Sequence, residues 1–178
     1  MTKAQILNFH SEPVKSRFYF NTNLRRWFSR NEGLWRSRRQ YFFGNEDALL
    51  VDMFLKIEKM ADNRNEDYKF RFSWWSEKEF ELFIQKPQYS REGIIDISLQ
   101  GHQIYRTKGF SSDTSFFSSI KHVDEHELIF ESSYDDWYIQ ENTRLIDQDR
   151  YRSRNIYSWN KDKLEIVENH HEIRLEAS

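Results

Sequence analysis

The sequence predicts an all-β protein: an antiparallel sandwich or up-and-down barrel of about ten short strands behind one short helix. Three observations carry this. Apolar residues alternate with polar ones at a period of two through most of the chain. Polar turns separate the alternating runs at regular spacing. Aromatic residues, which favour pleated strands, make up 17% of the 178 residues. A barrel of eight to ten strands is wide enough to hold a small ligand. No internal repeat or domain boundary is visible, so residues 1–178 read as one domain, with 1–17 as an irregular arm.

The helix is expected over 22–32. Asn21-Thr22-Asn23 offers capping side chains, Leu24, Trp27 and Phe28 follow at helical spacing, and Gly33 ends the pattern. From Gly33 the period becomes two. In GLWRSRRQYFF (33–43), Trp35, Ser37, Arg39, Tyr41 and Phe43 share one face. Arg39 is therefore a guanidinium on an aromatic face, either covered by a structural partner or aimed at a ligand anion. In 48–59, Leu49, Val51, Met53, Leu55 and Ile57 form an apolar face. In the strand from Tyr68 to Trp74, Tyr68, Phe70, Phe72 and Trp74 form another, and Phe80, Leu82 and Ile84 repeat the alternation as a further strand. Polar loops are expected at 60–67, 87–93 and 109–114. Segments 94–100 and 102–108 read as a hairpin about Gly101. Strands follow at 116–122, 126–132, 135–145 and 150–159, and two short ones at 164–169 and 171–176.

Charge and composition exclude several functions. The 27 basic and 29 acidic residues give a net charge of −2, without the basic excess of a nucleic-acid binder. There is no cysteine, hence no disulfide, thiolate metal site or thiol nucleophile, which fits a reducing compartment. No signal peptide or membrane-length apolar run is present, so a soluble intracellular protein without membrane insertion is expected. Of the six histidines, His122 and His126 are spaced i, i+4 but across a strand–turn–strand, where their rings do not converge, so all six read as ordinary surface residues, with no metal site. Neither a glycine-rich phosphate loop nor a G-x-S-x-G elbow occurs.

Polar residues on an inward face are the candidates. Glu141 shares its face with Trp137, Ile139 and Leu145, while Arg150, Arg152 and Arg154 share theirs with Ile156 and Ser158. That second face is either the wet side of an edge strand or an anion site opposite a carboxylate.

In this order, Gly33-Leu34-Trp35-Arg36-Ser37-Arg38-Arg39, Phe72-Ser73-Trp74, Glu141 with Arg150 to Arg154, and Glu172-Ile173-Arg174 resemble the CpcS/CpeS-type phycobiliprotein lyases. The resemblance runs from the helix to the end of the chain. It implies a lipocalin-like (calycin) antiparallel barrel with an N-terminal helix. It also implies a chromophore lyase that binds a linear tetrapyrrole, such as phycoerythrobilin, as substrate rather than as a built-in cofactor. The bilin would come from a bilin reductase and be attached by a thioether to a cysteine of a phycobiliprotein subunit. On this resemblance Glu141 and its partner Arg152 are catalytic. Arg39, Phe72, Trp74, Phe80, Arg150, Arg154 and Ser158 bind the ligand, with Ser153 an alternative to Ser158. Arg38 stands where the family usually has Gln, and Gln140 to Leu145 departs from its E-E-R-I-W-F run. A homodimer is compatible with the resemblance. So are a cyanobacterial cytoplasm, an algal plastid and a phage-infected host. The competing class is a barrel that carries a bilin or another hydrophobic ligand without transferring it.

Overall fold

The computed structural model describes residues 14–61, 68–107 and 116–176. Ten antiparallel strands close into a barrel in the order β1-β10-β9-β8-β7-β6-β5-β4-β3-β2. They are β1 (Gly33–Phe43), β2 (Leu49–Lys59), β3 (Tyr68–Trp75), β4 (Glu92–Gln100), β5 (Gln103–Arg106), β6 (Phe116–His122), β7 (Glu127–Tyr134), β8 (Trp137–Ile146), β9 (Tyr151–Asn160) and β10 (Lys163–Leu175). Helix α1 (Val14–Arg30) precedes β1, and a short helix α2 (Glu81–Gln85) lies between β3 and β4. This architecture fits a lipocalin-like fold. The expected features in 1–13, 62–67 and 108–115 lie outside the described residues.

In β1 and β2 the predicted inward faces are the observed ones. Trp35, Ser37, Tyr41 and Phe43 of β1 are buried, as are Leu49 through Ile57 at every second position of β2. Closure depends on β1, which pairs with β2 on one side and β10 on the other. Its first residue, Gly33, has φ +132°, a backbone state that disfavours side chains, and a Cβ there would lie 2.8 Å from Arg174 Nη1.

Three elements differ from expectation. The helix begins at Val14 rather than at the Asn21-Thr22-Asn23 cap. No Gly or Pro interrupts 14–32, and Asn and Thr inside a helix cost only about 0.5 kcal/mol each relative to better formers. Segment 80–84 forms α2 instead of a strand: Leu82 is buried while Ile84 is exposed, so the two do not share an inward face. The last two expected strands are one, thirteen residues long, with a single irregularity between Leu164 and Ile166.

Helix α1 closes one end of the barrel. Leu24, Trp27 and Phe28 are buried against Phe70, Leu128 and Phe130. Phe28 stacks on Phe70 at 5.5 Å, and the Trp27 indole donates to the His126 carbonyl at 3.0 Å. The last turn is tied down by Arg30, which donates to Asp149 at 2.5 and 2.8 Å. Arg174 donates to the Arg30 and Glu32 carbonyls and covers the Trp35 ring at 4.2 Å. The lumen is thus plugged at the α1 end, and Phe83 and Tyr89, from the α2 end, line the cavity beyond the plug.

Candidate functional site

Above the α1 plug lies a cavity of about 630 Å³, within the ~300–1,000 Å³ usual for small-molecule sites. One wall is aromatic and aliphatic, with Phe72 and Trp74 from β3 beside Met53 and Leu55 from β2. Trp74 is fixed from both sides. Its indole donates to the Ser90 carbonyl at 3.3 Å, and its ring lies against the Gly93 backbone, where a Cβ would come within 2.2 Å.

The other wall is a layer of buried charge on β1, β8, β9 and β10. Alternation places Glu141, Thr143, Arg152, Arg154, Ser158, His170 and Glu172 inward. Arg154 donates to Glu141 Oε1 through Nε at 2.9 Å, and its Nη2 forms an ion pair with the same oxygen at 2.7 Å. Thr143 donates to the same oxygen at 3.1 Å, and Arg106 of β5 lies 3.6 Å from Oε2. Burial pushes the Glu141 carboxyl up, but Arg154 and Arg106 together overcome it and hold the group down at about 2. Glu141 is therefore a carboxylate at neutral pH.

Glu172 anchors the neighbouring unit. It accepts from Arg152 and, at 3.0 Å, from the Ser37 hydroxyl, with Arg154 Nη1 at 3.8 Å. Burial opposes its charge, and Arg152 and Arg154 hold its carboxyl below the ordinary value. Arg152 also donates to the Asn31 side chain at 2.9 Å and lies over the Trp35 ring at 4.6 Å.

Arg39 is different. Its Nε donates to the Ser37 hydroxyl at 3.1 Å. Among the described residues it has no ion-pair partner. Farther along β10, His170 Nε2 and Glu168 Oε2 are 3.0 Å apart. Burial drives the Glu168 carboxyl up to about 7, against the pull of Arg39 and Arg154. Burial and the same two arginines keep the His170 imidazole neutral.

The structure gathers Arg39, Phe72, Trp74, Glu141, Arg152, Arg154 and Ser158 around one cavity. Two expected residues are elsewhere. Arg150 lies on the exposed turn before β9, paired with Asp147, because the inward face begins at Arg152. Phe80 precedes α2 and packs in a second apolar cluster, and Phe83 lines the cavity in its place. The expected Glu141–Arg152 pair is also redrawn: Glu141 pairs with Arg154, and Arg152 with Glu172. Ser153 faces away from the inward row, being half-buried between Arg152 and Arg154. Sequence reasoning missed Arg106, Glu168, His170 and the pairing role of Glu172. Reading 163–175 as one strand would have put Glu168, His170 and Glu172 on one inward face.

An S-type phycobiliprotein lyase, CpeS from Guillardia theta, superposes with a TM-score of 0.65 over 90% of this chain and 99% of its own, at 15% identity. This chain shares that lyase's fold. A protein of unknown function from the DUF3598 family of Nostoc punctiforme also resembles it, with a TM-score of 0.57 and 14% identity. That match covers 83% of this chain and 48% of the other. No protein-family model and no curated protein matches the sequence. Among the described residues no helix is long and apolar enough to cross a membrane.

Proposed function

We propose that the lumen binds a linear tetrapyrrole and that the protein delivers it to a cysteine of a phycobiliprotein subunit, as a chromophore lyase. The observation that carries this reading is Arg39, a guanidinium with no ion-pair partner among the described residues, lining one cavity with the aromatic Phe72 and Trp74 and with an ionised polar layer. Arg39, Arg152 and Arg154 outnumber the ionised Glu141 and Glu172 even before Arg106 is counted. The layer is therefore short of negative charge. A bilin supplies what is missing: propionates for guanidinium forks, pyrrole N–H groups for a carboxylate, and flat rings for Phe72 and Trp74. The lyase fold of the Guillardia theta neighbour agrees with it.

In this reading Arg39 takes a propionate. Glu141, fixed by Arg154 and Thr143, accepts pyrrole N–H bonds and offsets positive charge on the tetrapyrrole as it develops. Arg152 and Arg154 hold the two carboxylates in place, and Ser158 adds a hydroxyl to the same wall. Having no cysteine, the chain cannot trap the chromophore itself. The thiol comes from the acceptor, and the barrel contributes by presenting the bilin in one extended orientation. Co-expression with a phycobiliprotein subunit and a bilin-producing reductase tests the activity. Covalent colour on the subunit, dependent on this protein, is the expected result. Colour that stays bound only to this protein would make it a carrier.

A further inference from the structure

We propose that the proton donor of the lumen is Glu168, held in place by His170, and that Glu141 serves only as a fixed counter-ion. The assignment rests on the tetrapyrrole reading and gives that site its acid. Thiol addition to a bilin double bond needs a proton delivered to the chromophore as sulfur attacks, so some lumen group must carry one at neutral pH. Glu141 does not qualify. One of its oxygens is engaged by Arg154 and Thr143, and Arg106 faces the other. Glu172 is equally committed to Arg152 and Ser37.

Glu168 is placed differently. It lines the cavity on β10, opposite Tyr41 of β1 and Ile156 of β9, with no arginine across from it. Its hydrogen-bond partner is the His170 ring. That ring sits directly opposite Arg39 on one side and Arg154 on the other. Two flanking guanidiniums disfavour an imidazolium, so the proton shared by the pair rests on the carboxyl. The other charged and titratable groups around Glu168 act in both directions. Arg39 and Arg154 favour its ionisation, while Glu141, on the same wall beyond Ile156, opposes it. Tyr41 and Tyr89, whose rings meet at 5.1 Å, are held protonated by burial and remain neutral. Burial decides the balance, leaving Glu168 the lumen carboxyl that exchanges its proton near neutrality.

The step balances without a redox partner. The Glu168 O–H bond breaks and its proton passes to the tetrapyrrole. The acceptor thiolate forms a C–S bond at the electrophilic carbon as the C=C π bond is consumed. The proton shed by the acceptor thiol restores the Glu168 carboxyl. His170 is a positioning residue that keeps the carboxyl oriented through Nε2.

Two measurements on the full chain test this. The first is infrared difference spectroscopy of wild type against Glu168→Gln without ligand. A protonated-carboxyl carbonyl band that fades as pH rises through about 7 is expected in the wild type alone. Its absence there overturns the proposal whatever the ligand. The second uses phycoerythrobilin as probe. Bound to wild type, its absorbance should shift with the same pH transition. Bound to Glu168→Gln it should show no such transition, and transfer to an acceptor thiol should fall roughly 100-fold or more. A variant that binds phycoerythrobilin and titrates and transfers like wild type overturns the assignment. If the infrared band is present but phycoerythrobilin leaves the absorbance of both proteins unchanged, the tetrapyrrole reading has failed and the donor role falls with it.

Discussion

Glu141→Gln removes one charge and almost no volume, which makes it a direct probe of the buried ionic layer. Arg154 Nη2 is 2.7 Å from Glu141, and Arg106 is 3.6 Å away. At an effective dielectric constant of about 20, those separations give gross attractions of about 6 and 5 kcal/mol. Most of this offsets the cost of burying the ions. Breaking such a pair from one side costs about 3–5 kcal/mol, because the remaining guanidinium stays buried. The depressed carboxyl gives a consistent figure: a fall from 4.5 to about 2 corresponds to ~3 kcal/mol. For a chain of this size a loss of 3–5 kcal/mol lowers Tm by roughly 6–20 °C. Because the folded group titrates below the unfolded one, its stabilisation is complete above about 4.5 and is lost as pH falls toward about 2. Urea unfolding of both proteins at neutral and acid pH measures this. The variant should be much weaker at neutral pH, and the gap should close in acid. Lys163→Ala, which breaks an exposed pair with Glu165 at 2.9 Å, serves as the control and should change nothing measurable. A Glu141→Gln penalty as small as the control's, or one that persists unchanged in strong acid, would refute the ionic account of this wall.

Three further outcomes are expected. Arg39→Ala should weaken phycoerythrobilin binding roughly 10- to 100-fold, the value of one charge-assisted bond; titration by absorbance reads it, and an unaltered affinity would make Arg39 purely structural. Gly93→Ala should displace Trp74, since the new methyl would lie 2.2 Å from its ring; a destabilisation of about 1–3 kcal/mol with altered tryptophan fluorescence is expected, and an unaffected spectrum would count against that wall geometry. Glu168 and His170 act on stability with opposite signs. The raised Glu168 carboxyl stabilises below the unfolded value of 4.5, and this is lost as pH rises through about 7, whereas buried neutral His170 stabilises above 6.5 and loses this as pH falls. Glu168→Gln should therefore leave a stability that rises more steeply between these values than that of wild type, and parallel profiles would contradict the placement of both groups.

Strand alternation made the barrel legible, because every inward position of β1 and β2 obeys a period of two and β-sheet side chains have nowhere else to go. It also put Arg39 and Glu141 on apolar, inward faces, and Arg152 and Arg154 together on one face whose direction it left open. Alternation does not reveal which inward charges meet. Glu141 reaches Arg154 rather than Arg152 because cross-strand register sets these distances, and β8 pairs Thr143, not Glu141, with Arg154. Arg150 lies away from the cavity because the strand begins one residue later and leaves it on the turn. His170 and Glu168 were hidden by reading a break at 169–171 inside what is one long strand. The helix start was obscured by Asn and Thr, good caps that a helix still tolerates inside when its other contacts carry it.

The claim at the centre is that this lumen is a tetrapyrrole site. Titration of the wild-type protein with phycoerythrobilin, followed by absorbance and fluorescence, tests it most directly. A saturable spectral change at one bilin per chain, reduced in Arg39→Ala, is the expected result. A bilin spectrum identical to that in buffer at every protein concentration would contradict it.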